Sequence, residues 1–485
     1  MSIEVRSLEP KVLWNYFSDL NEVPRGSKKE ERVIQFMVDF GKKLNLETTV
    51  DPVGNVIIKK PAFKGMENRK TIVMQSHLDM VQQKNSDTVF DFDKEGIKMK
   101  IDGEWVKAQG TTLGADNGLG VAAIMAVLAS TDIKHPAIEA LFTIDEETGM
   151  TGAKGLEAGY LNGEILLNLD TEEDDEIDIG CAGGIDITAE TSFNEVNTPI
   201  NSLGYTVSVT GLNGGHSGMD IHRGLGNANK IMNRVLYETQ DMLRISEIMG
   251  GSLRNAIPRE SFALISVYAS NKDAFFKKTK NIIKDIKAEF KTIDPNLEIT
   301  ITETAIPKKV MTTISQTTLL KVIYSAYNGV YRMSNDMANL VETSNNLAQV
   351  IVKDEMLKIM CLTRSSVETG KTDLANTLTA TFELAGYDVN KAGSYPGWKP
   401  NVDSPILKVL SNTYENLFNN KANIVACHAG LECGILGTNY PNMDMISFGP
   451  TIQGAHSPDE RANIKSSQKF WKFLLEILEN IPLKK

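Results

Sequence analysis

Apolar residues in the first part of the chain come in short runs, separated by polar turns and by stretches with helical spacing. Runs of four to eight residues predict buried strands at 55–59, 71–74, 137–144 and 164–169. Helical spacing predicts helices at 12–17 and 30–44, and an Ala-rich run predicts a buried helix at 118–130. This alternation of strands and helices indicates an α/β domain whose sheet is mostly parallel.

The pattern changes near the Ala-Gly-Gly sequence at 182–184. Beyond it, strands are predicted at 205–210, 263–269, 297–302, 345–352 and 356–363, and helices at 224–243, 273–292, 317–326 and 371–385. We interpret residues 187–390 as an inserted α+β domain in two halves. After a turn-rich segment at 393–400, two helices and a strand resume the earlier style, at 404–418, 468–481 and 443–448. Residues 1–186 and 391–485 are therefore predicted to form one interrupted domain.

A chain of 485 residues exceeds the roughly 250–300 residues at which a single core stops growing. Its formal net charge of −11 argues against a general nucleic-acid binder. The sequence has no apolar stretch long enough to span a membrane, no signal-peptide pattern and no C-x-x-C pair among its four cysteines. We expect a cytoplasmic protein with reduced thiols and a small-molecule partner.

Side chains with metal-ligand chemistry follow several predicted strands or lie in glycine-rich turns. They are His77, Asp79, Asp116, Glu146, Glu147, Asp170 and His456. Taken singly, each has an ordinary interpretation as a strand end, a helix N-cap, a solvated acid or a loop histidine. However, open α/β sheets bind ligands at the carboxyl ends of their strands, and imidazole with carboxylate suits zinc or another divalent metal. The joint pattern favours a two-metal hydrolase.

Two neighbouring pairs in this set predict a division of roles. Adjacent carboxylates on an extended backbone point to different faces, so one of Glu146 and Glu147 can bind metal while the other acts on the attacking water as general base. Asp79 lies two residues after His77 and can hydrogen-bond the second ring nitrogen of that histidine.

Two further histidines stand in distinctive segments. His216 lies in a Gly-Gly-His-Ser-Gly loop, which is either a simple turn or an imidazole that a mobile domain delivers to a substrate oxyanion. His428, in Cys-His-Ala-Gly-Leu-Glu-Cys, is a rival metal ligand. The sequence contains no G-x-S-x-G serine elbow.

Several segments, in this order, resemble the M20 family of metallopeptidases and, within it, the aminoacyl-histidine (Xaa-His) dipeptidase group. The shared segments are 51–55, 77–81, 110–118, 181–186, 224–230, 254–260, 428–434 and 456–460. The resemblance covers essentially the whole chain. It implies a zinc-peptidase-like α/β catalytic domain formed by residues 1–186 and 391–485, interrupted by a lid domain at 187–390.

The resemblance also implies metal ligands. One metal would take His77 and Asp170, and the other Glu147 and His456. Asp116 would bridge the two metals and precede a cis peptide bond to Asn117. Two divalent ions are implied, with zinc as the first choice and cobalt or manganese as alternatives.

The remaining implied roles concern catalysis and substrate binding. Asp79 would orient His77, and Glu146 would be the general base. In the lid, His216 would polarise the scissile carbonyl, while Asn255 and Arg364 would hold the substrate. The planar fork of an arginine suits a free C-terminal carboxylate.

The implied activity is hydrolysis of Xaa-His and related, carnosine-like dipeptides by a two-metal activated water. The expected partner is a small dipeptide, without nucleic acid or membrane, and a homodimer is left open. One alternative is another M20-like amidohydrolase that acts on N-acyl amino acids or longer peptides. A second is a non-catalytic metal-binding or scaffold protein, against which the spare carboxylate of Glu146 argues.

Overall fold

The computed structural model describes residues 3–484 and divides the chain into two compact units. The first unit contains the described residues up to 180, together with 400–426 and those from 431 onward. The second unit contains 181–399 and 427–430. The structure describes no helix that is both long enough and apolar enough to cross a membrane between residues 3 and 484.

The N-terminal part of the first unit alternates helices and strands. Its helices are α1 (Ile3–Arg6), α2 (Lys11–Asn21), α3 (Glu31–Lys43), α4 (Ala115–Ala129) and α5 (Thr151–Gly155). Its strands are β1 (Glu47–Val50), β2 (Val56–Lys60), β3 (Ile72–His77), β4 (Met99–Asp102), β5 (Trp105–Ala108), β6 (Ile138–Thr143), β7 (Ile165–Asn168) and β8 (Glu176–Cys181).

The second unit is rich in strands. They are β9 (Gly183–Ser192), β10 (Glu195–Asn197), β11 (Ser202–Thr210), β12 (Gly215–His216), β13 (Leu243–Gly250), β14 (Ala256–Ile257), β15 (Ser261–Tyr268), β16 (Glu298–Thr304), β17 (Lys309–Met311), β18 (Gly329–Met333), β19 (Val341–Lys353), β20 (Met356–Ser365) and β21 (Asp388–Tyr395). Its helices are α6 (Ala228–Glu238), α7 (Lys272–Phe290), α8 (Thr313–Ser325) and α9 (Glu368–Glu383), with 3-10 turns at Ile221–Arg223 and Ala269–Asn271.

The C-terminal elements return mainly to the first unit. They are α10 (Pro405–Phe418), β22 (Asn423–Cys427), α11 (Glu432–Asn439), β23 (Asp444–Ser447), β24 (Ile452–Gln453), β25 (Arg461–Asn463) and α12 (Ile464–Glu479).

The eight-stranded sheet of the first unit has the order β1-β2-β6-β3-β7-β23-β8-β22. Its four central strands, β6, β3, β7 and β23, run parallel, whereas β1, β2 and β8 pair antiparallel with their neighbours. Every residue of β3, β6 and β7 is buried, as expected for central parallel strands covered on both faces. The predicted α/β class is confirmed, and the parallel pairing is concentrated in the centre of the sheet.

The main sheet of the second unit has the order β16-β11-β15-β13-β19-β20-β9-β21, with β18 paired to β19. Antiparallel pairing of β13 with β19 joins the two halves that the sequence suggested into one sheet. Helices α6, α7 and α9 pack on it, over a core that includes Val207, Ile265 and Phe382.

The division into units differs from the predicted boundaries at 186/187 and 390/391. Strands β9 and β21 pair with each other in the sheet of the second unit, so that unit begins and ends beyond the predicted limits. Residues 427–430 were predicted to belong to the interrupted domain, but they group with the second unit. There the Ala182 N–H donates to the carbonyls of Cys427 and Ala429.

Candidate metal centre

The polar side chains of the first unit converge where its central parallel strands end. His77 is the last residue of β3, Glu146 and Glu147 follow β6, and Asp170 follows β7. Strand β3 lies between β6 and β7 in the sheet, so the three strand ends are neighbours. The carboxyl ends of parallel strands are the usual position of a site in such sheets.

One group of possible ligands consists of His77, Asp116 and Asp170. His77 Nε2 lies 3.2 Å from Asp116 Oδ1 and 3.4 Å from Asp170 Oδ1. The imidazole of His77 is buried, and both carboxylates are largely shielded from solvent.

A second group consists of Asp116, Glu147 and His456. His456 Nε2 lies 3.2 Å from Asp116 Oδ2 and 2.9 Å from Glu147 Oε2. Asp116 therefore directs one carboxylate oxygen at each group. This is the arrangement in which one carboxylate can serve two cations.

Asp79 lies beside the other ring nitrogen of His77. Nδ1 of His77 is 3.2 Å from the Asp79 carbonyl oxygen and 3.4 Å from Asp79 Oδ1. The Asp79 carboxylate also accepts hydrogen bonds from Ser27 Oγ and from the backbone N–H groups of Glu146 and Glu147. A proton held on Nδ1 leaves Nε2 free to bind a metal.

The carboxyl of Glu146 stands apart from these contacts. Within residues 3–484, its side chain makes no hydrogen bond or ion pair and belongs to neither group of possible ligands. Burial raises the pKa of Glu146 well above its ordinary value.

The donors in both groups fit divalent cations. Imidazole nitrogen and carboxylate oxygen are ordinary zinc ligands. Glu147 Oε1 is buried and accepts no hydrogen bond from the described residues. Hydrogen bonds to Asp116 and Glu147 raise the pKa of His456 to about 11, so the surroundings of this imidazole strongly favour added positive charge.

Two buried residues that the sequence analysis did not select hold the turn before Asp116. Glu460 accepts hydrogen bonds from the backbone N–H groups of residues 113–116, at 2.7–3.3 Å. Arg25 donates to the carbonyls of Leu78, Asp79 and Gly114. Gly114 has a φ of 69°, which favours glycine, and the Asp116–Asn117 peptide bond is cis, as the resemblance implied.

The described residues contain a third buried acidic group, formed by Glu30, Asp79 and Asp145. Each of its carboxyls already accepts hydrogen bonds: Glu30 Oε1 accepts them from the backbone N–H groups of Lys28 and Asp145. The Asp145 carboxylate accepts from the hydroxyls of Thr148 and Thr151. Internal hydrogen bonds thus satisfy this group without a metal.

In the second unit, His216 lies beside Arg364. Arg364 is buried and donates to the hydroxyl of Tyr395 at 2.8 Å and to Ser217 Oγ at 3.3 Å. Nδ1 of His216 accepts hydrogen bonds from the backbone N–H groups of Gly218 and Met219, at 3.3 and 3.1 Å. The neutral ring therefore has its proton on Nε2, which faces Arg364 Nη2 at 3.4 Å.

In this geometry two hydrogen-bond donors, His216 Nε2–H and the Arg364 guanidinium, face each other. Burial and the Arg364 guanidinium lower the pKa of His216 to about 4, so the ring is neutral near pH 7. A neutral Nε2–H and a guanidinium N–H cannot bond to each other, and an acceptor oxygen placed near both would satisfy them.

Asn255 and His428 also belong to the second unit. The Asn255 carbonyl accepts the backbone N–H of Ser217, so Asn255 lies next to the His216 loop. His428 is buried, its Nε2 lies 2.8 Å from Ser344 Oγ, and burial lowers its pKa to about 3. Among the described residues, His428 is in none of the groups that could hold a metal, so the rival ligand hypothesis for it is not supported.

Comparisons with known proteins identify the family of this chain. The model of peptidase family M20/M25/M40 matches residues 73–480. The chain is 44% identical over 483 residues to the cytosol non-specific dipeptidase of Escherichia coli strain K12, covering 99% of this chain and 100% of that protein.

Solved structures give the same result. Aminoacylhistidine dipeptidase from Vibrio alginolyticus superposes with a TM-score of 0.93 at 44% identity and with 99% of each chain covered. Aminopeptidase PepT from Bacillus cereus, at 16% identity and a TM-score of 0.58, shares the fold over 98% of this chain and 99% of its own. Because the family model and the E. coli relative each cover most or all of the sequence, the chain belongs to peptidase family M20/M25/M40.

Proposed function

We propose that this protein is a dinuclear metallo-dipeptidase. The observation that supports this most directly is the central position of Asp116, whose two oxygens face two different histidines. His77 and Asp170 would hold one divalent ion, and Glu147 and His456 would hold the other. Asp116 would contribute to holding both. Zinc is the proposed metal, with cobalt or manganese as alternatives.

Two bound cations would supply Lewis acidity for the scissile carbonyl and increase the acidity of the attacking water. The chain supplies the proton transfers. Glu146, whose carboxyl has no partner among the described residues, would take the proton from the attacking water and pass it to the leaving amine. Asp79 would hold His77 in the tautomer that leaves Nε2 free.

In the second unit, His216 and Arg364 would bind oxygen atoms of the substrate. The Nε2–H of His216 would donate to the carbonyl oxygen as it gains negative charge. The guanidinium of Arg364 would bind the free C-terminal carboxylate, and Asn255, beside the same loop, would contribute to holding the peptide. On this proposal, the second unit is the substrate-binding lid domain.

The proposed substrates are Xaa-His and related, carnosine-like dipeptides. The E. coli relative is named a non-specific dipeptidase and the V. alginolyticus relative an aminoacylhistidine dipeptidase. Both names describe dipeptidases, and they differ in the breadth of side chains accepted. We further propose a cytoplasmic location, since the E. coli relative is named a cytosol enzyme.

A parallel assay of matched compounds tests this proposal. Purified protein loaded with Zn²⁺, Co²⁺ or Mn²⁺ is given Xaa-His dipeptides, other dipeptides, tripeptides and N-acetyl amino acids at equal concentrations. We expect dipeptides to be hydrolysed with the highest kcat/KM and chelation to abolish the activity. Preferential hydrolysis of N-acetyl amino acids or tripeptides would contradict the dipeptidase proposal, and light scattering on the same samples tests the homodimer.

A further inference from the structure

A row of buried polar side chains crosses the central sheet of the first unit just beneath the candidate metal centre. Gln75, Asn168, Ser447 and Asp178 are register partners on the adjacent strands β3, β7, β23 and β8. Gln75 precedes His77 by two residues, and Asn168 precedes Asp170 by two. In a strand this spacing returns to the same face, so the row lies one layer below the ligands.

Hydrogen bonds connect the row from end to end. Asn168 Nδ2 donates to Gln75 Oε1 at 2.6 Å, and the Ser447 hydroxyl donates to Asn168 Oδ1. The hydroxyl of Thr171 lies 2.8 Å from both Ser447 Oγ and Asp178 Oδ2. All of these side chains are buried, and polar groups are tolerated there because they satisfy one another.

Glu432 closes the row at the β3–β6 end. It is the first residue of α11 and is fully buried. Its Oε2 accepts two hydrogen bonds of 2.6 Å, one from Gln75 Nε2 on β3 and one from Thr143 Oγ1 at the end of β6. Thr143 is the register partner of His77 and precedes Glu146 by three residues.

The contacts of Glu432 favour its neutral form. Its Oε1 is buried and has no hydrogen-bond partner, and Glu432 makes no ion pair within residues 3–484. A buried carboxylate without a cation is unfavourable, and burial raises the pKa of Glu432 to about 8. As a carboxylic acid, Glu432 can still accept both hydrogen bonds on Oε2.

We propose that Glu432 is a positioning residue for the proposed hydrolysis, on which this inference rests. From beneath the site, its hydrogen bonds hold the ends of β3 and β6 together. They thereby fix the position of His77 relative to Glu146. Gln75 and Thr143 lie on neighbouring parallel strands. Gln75 Nε2 donates to Thr143 Oγ1 at a longer 3.2 Å, and one oxygen of Glu432 accepts a 2.6 Å hydrogen bond from each of them. Glu432 itself belongs to none of the possible metal-ligand groups of the described residues.

Two substitutions separate this role from that of a charged group. Glu432→Gln reproduces the neutral acid, because its amide oxygen can accept from Gln75 and Thr143. Glu432→Leu keeps much of the volume and removes both bonds. We expect Glu432→Gln to stay within about threefold of the unchanged enzyme in kcat, and Glu432→Leu to lose about 10–100-fold in kcat with KM nearly unchanged, as is typical when support behind a metal site is lost.

Hydrogen–deuterium exchange gives a readout that does not need dipeptide hydrolysis. In Glu432→Leu, we expect at least tenfold faster exchange in peptides that cover 75–80 and 143–148, without a change in the second unit. Glu432→Gln should exchange like the unchanged protein. The matched control is Asp178→Asn at the far end of the row, which should leave the exchange of both segments and kcat unchanged within about twofold.

The outcomes are distinguishable. If the unchanged protein does not hydrolyse dipeptides, the proposed function fails. The exchange data then still show whether Glu432 stabilises the ends of β3 and β6. The positioning role is overturned if Glu432→Leu leaves exchange in both segments unaltered. It is also overturned if Glu432→Gln is as damaging as Glu432→Leu, since the negative charge would then be what matters.

Discussion

Histidines in the two units of this chain lie in opposite electrostatic surroundings. In the first unit, His456 lies between Asp116 and Glu147, and hydrogen bonds to these carboxylates raise its pKa to about 11. In the second unit, burial and then Arg364 lower the pKa of His216 to about 4 and that of His428 to about 3. The first environment favours cations. The second favours neutral rings and acceptor oxygens.

On the proposed function, this difference would let one residue type serve two parts of a hydrolytic reaction. An imidazole among carboxylates is suited to bind a metal, because a cation compensates the neighbouring negative charges. An imidazole beside a guanidinium is kept neutral, so its N–H can donate to a carbonyl oxygen that gains negative charge. Four substitutions test this contrast, three through metal content or activity and one through stability.

The largest effect is expected from removing the carboxylate that both cation-binding groups share. We predict that Asp116→Ala loses both metals and more than about 10³-fold in kcat/KM, because several kcal/mol of charge stabilisation disappear. Metal content by mass spectrometry and steady-state kinetics check this, with circular dichroism as the control for folding. An Asp116→Ala protein that keeps both metals and most of its activity would remove the bridging role.

Glu146 should separate catalysis from metal binding. Its side chain has no partner among the described residues, so Glu146→Ala should keep two metals while kcat falls about 10²–10⁴-fold, the usual contribution of a general base. The neighbouring substitution Glu147→Ala is the matched control and should lose metal. Loss of metal from Glu146→Ala would make Glu146 a ligand instead.

In the second unit, Arg364 should recognise a negative charge on the substrate. We predict that Arg364→Ala lowers kcat/KM for a free dipeptide about 10–100-fold, the effect of losing a charged hydrogen bond of about 1.5–3 kcal/mol. It should change kcat/KM little for the C-terminally amidated form, so the two substrates become equivalent. Arg234→Ala, which breaks a surface ion pair with Glu289, is the control. An equal loss on both substrates would make Arg364 structural.

The smallest effect concerns stability against pH. Burial lowers the pKa of His428 to about 3, below the value near 6.5 of an unfolded histidine. Between these values the unfolded chain binds a proton that the folded chain does not. The stability linked to His428 is therefore complete above about pH 6.5 and is lost toward pH 3, by at most about 1.4 kcal/mol per pH unit.

Replacing His428 by Gln should flatten this dependence. We predict that the Tm of His428→Gln falls less between pH 7 and pH 5 than that of the unchanged protein, while the metal content stays the same. Differential scanning calorimetry at several pH values provides the measurement. Parallel curves for the two proteins would show that His428 does not remain neutral when buried.

The bounds of the strands that carry the site residues could be predicted closely from the sequence. Central parallel strands are buried on both faces and appear as continuous apolar runs, so the run at 137–144 matches β6 and that at 164–169 matches β7 within one or two residues. The single sheet of the second unit was not predicted. It depends on the pairing of Ile248 with Val352, about a hundred residues apart, which no local pattern specifies.

The same limit applies to the residues that support the site. His77, Asp116 and His456 could be predicted because imidazoles and carboxylates together, at strand ends and in glycine-rich turns, form a joint pattern that suits divalent metals. Arg25, Glu432 and Glu460 were missed, since the hydrogen bonds that tie them to the site reach residues 53 to 357 positions away. Gln75 and Asn168 offered the one local signal, because each is an amide that directly follows the apolar run of its buried strand.

Counting metal ions in two histidine variants tests the central contrast most directly. Purified His456→Gln and His428→Gln are reconstituted with Zn²⁺ beside the unchanged protein, and bound metal per chain is measured after removal of free ions. We predict two ions for the unchanged protein, two for His428→Gln and one for His456→Gln, because of these two histidines His456 alone lies among carboxylates that need a cation. Two ions retained by His456→Gln, or an ion lost from His428→Gln, would contradict the assignment of the cation site to the first unit.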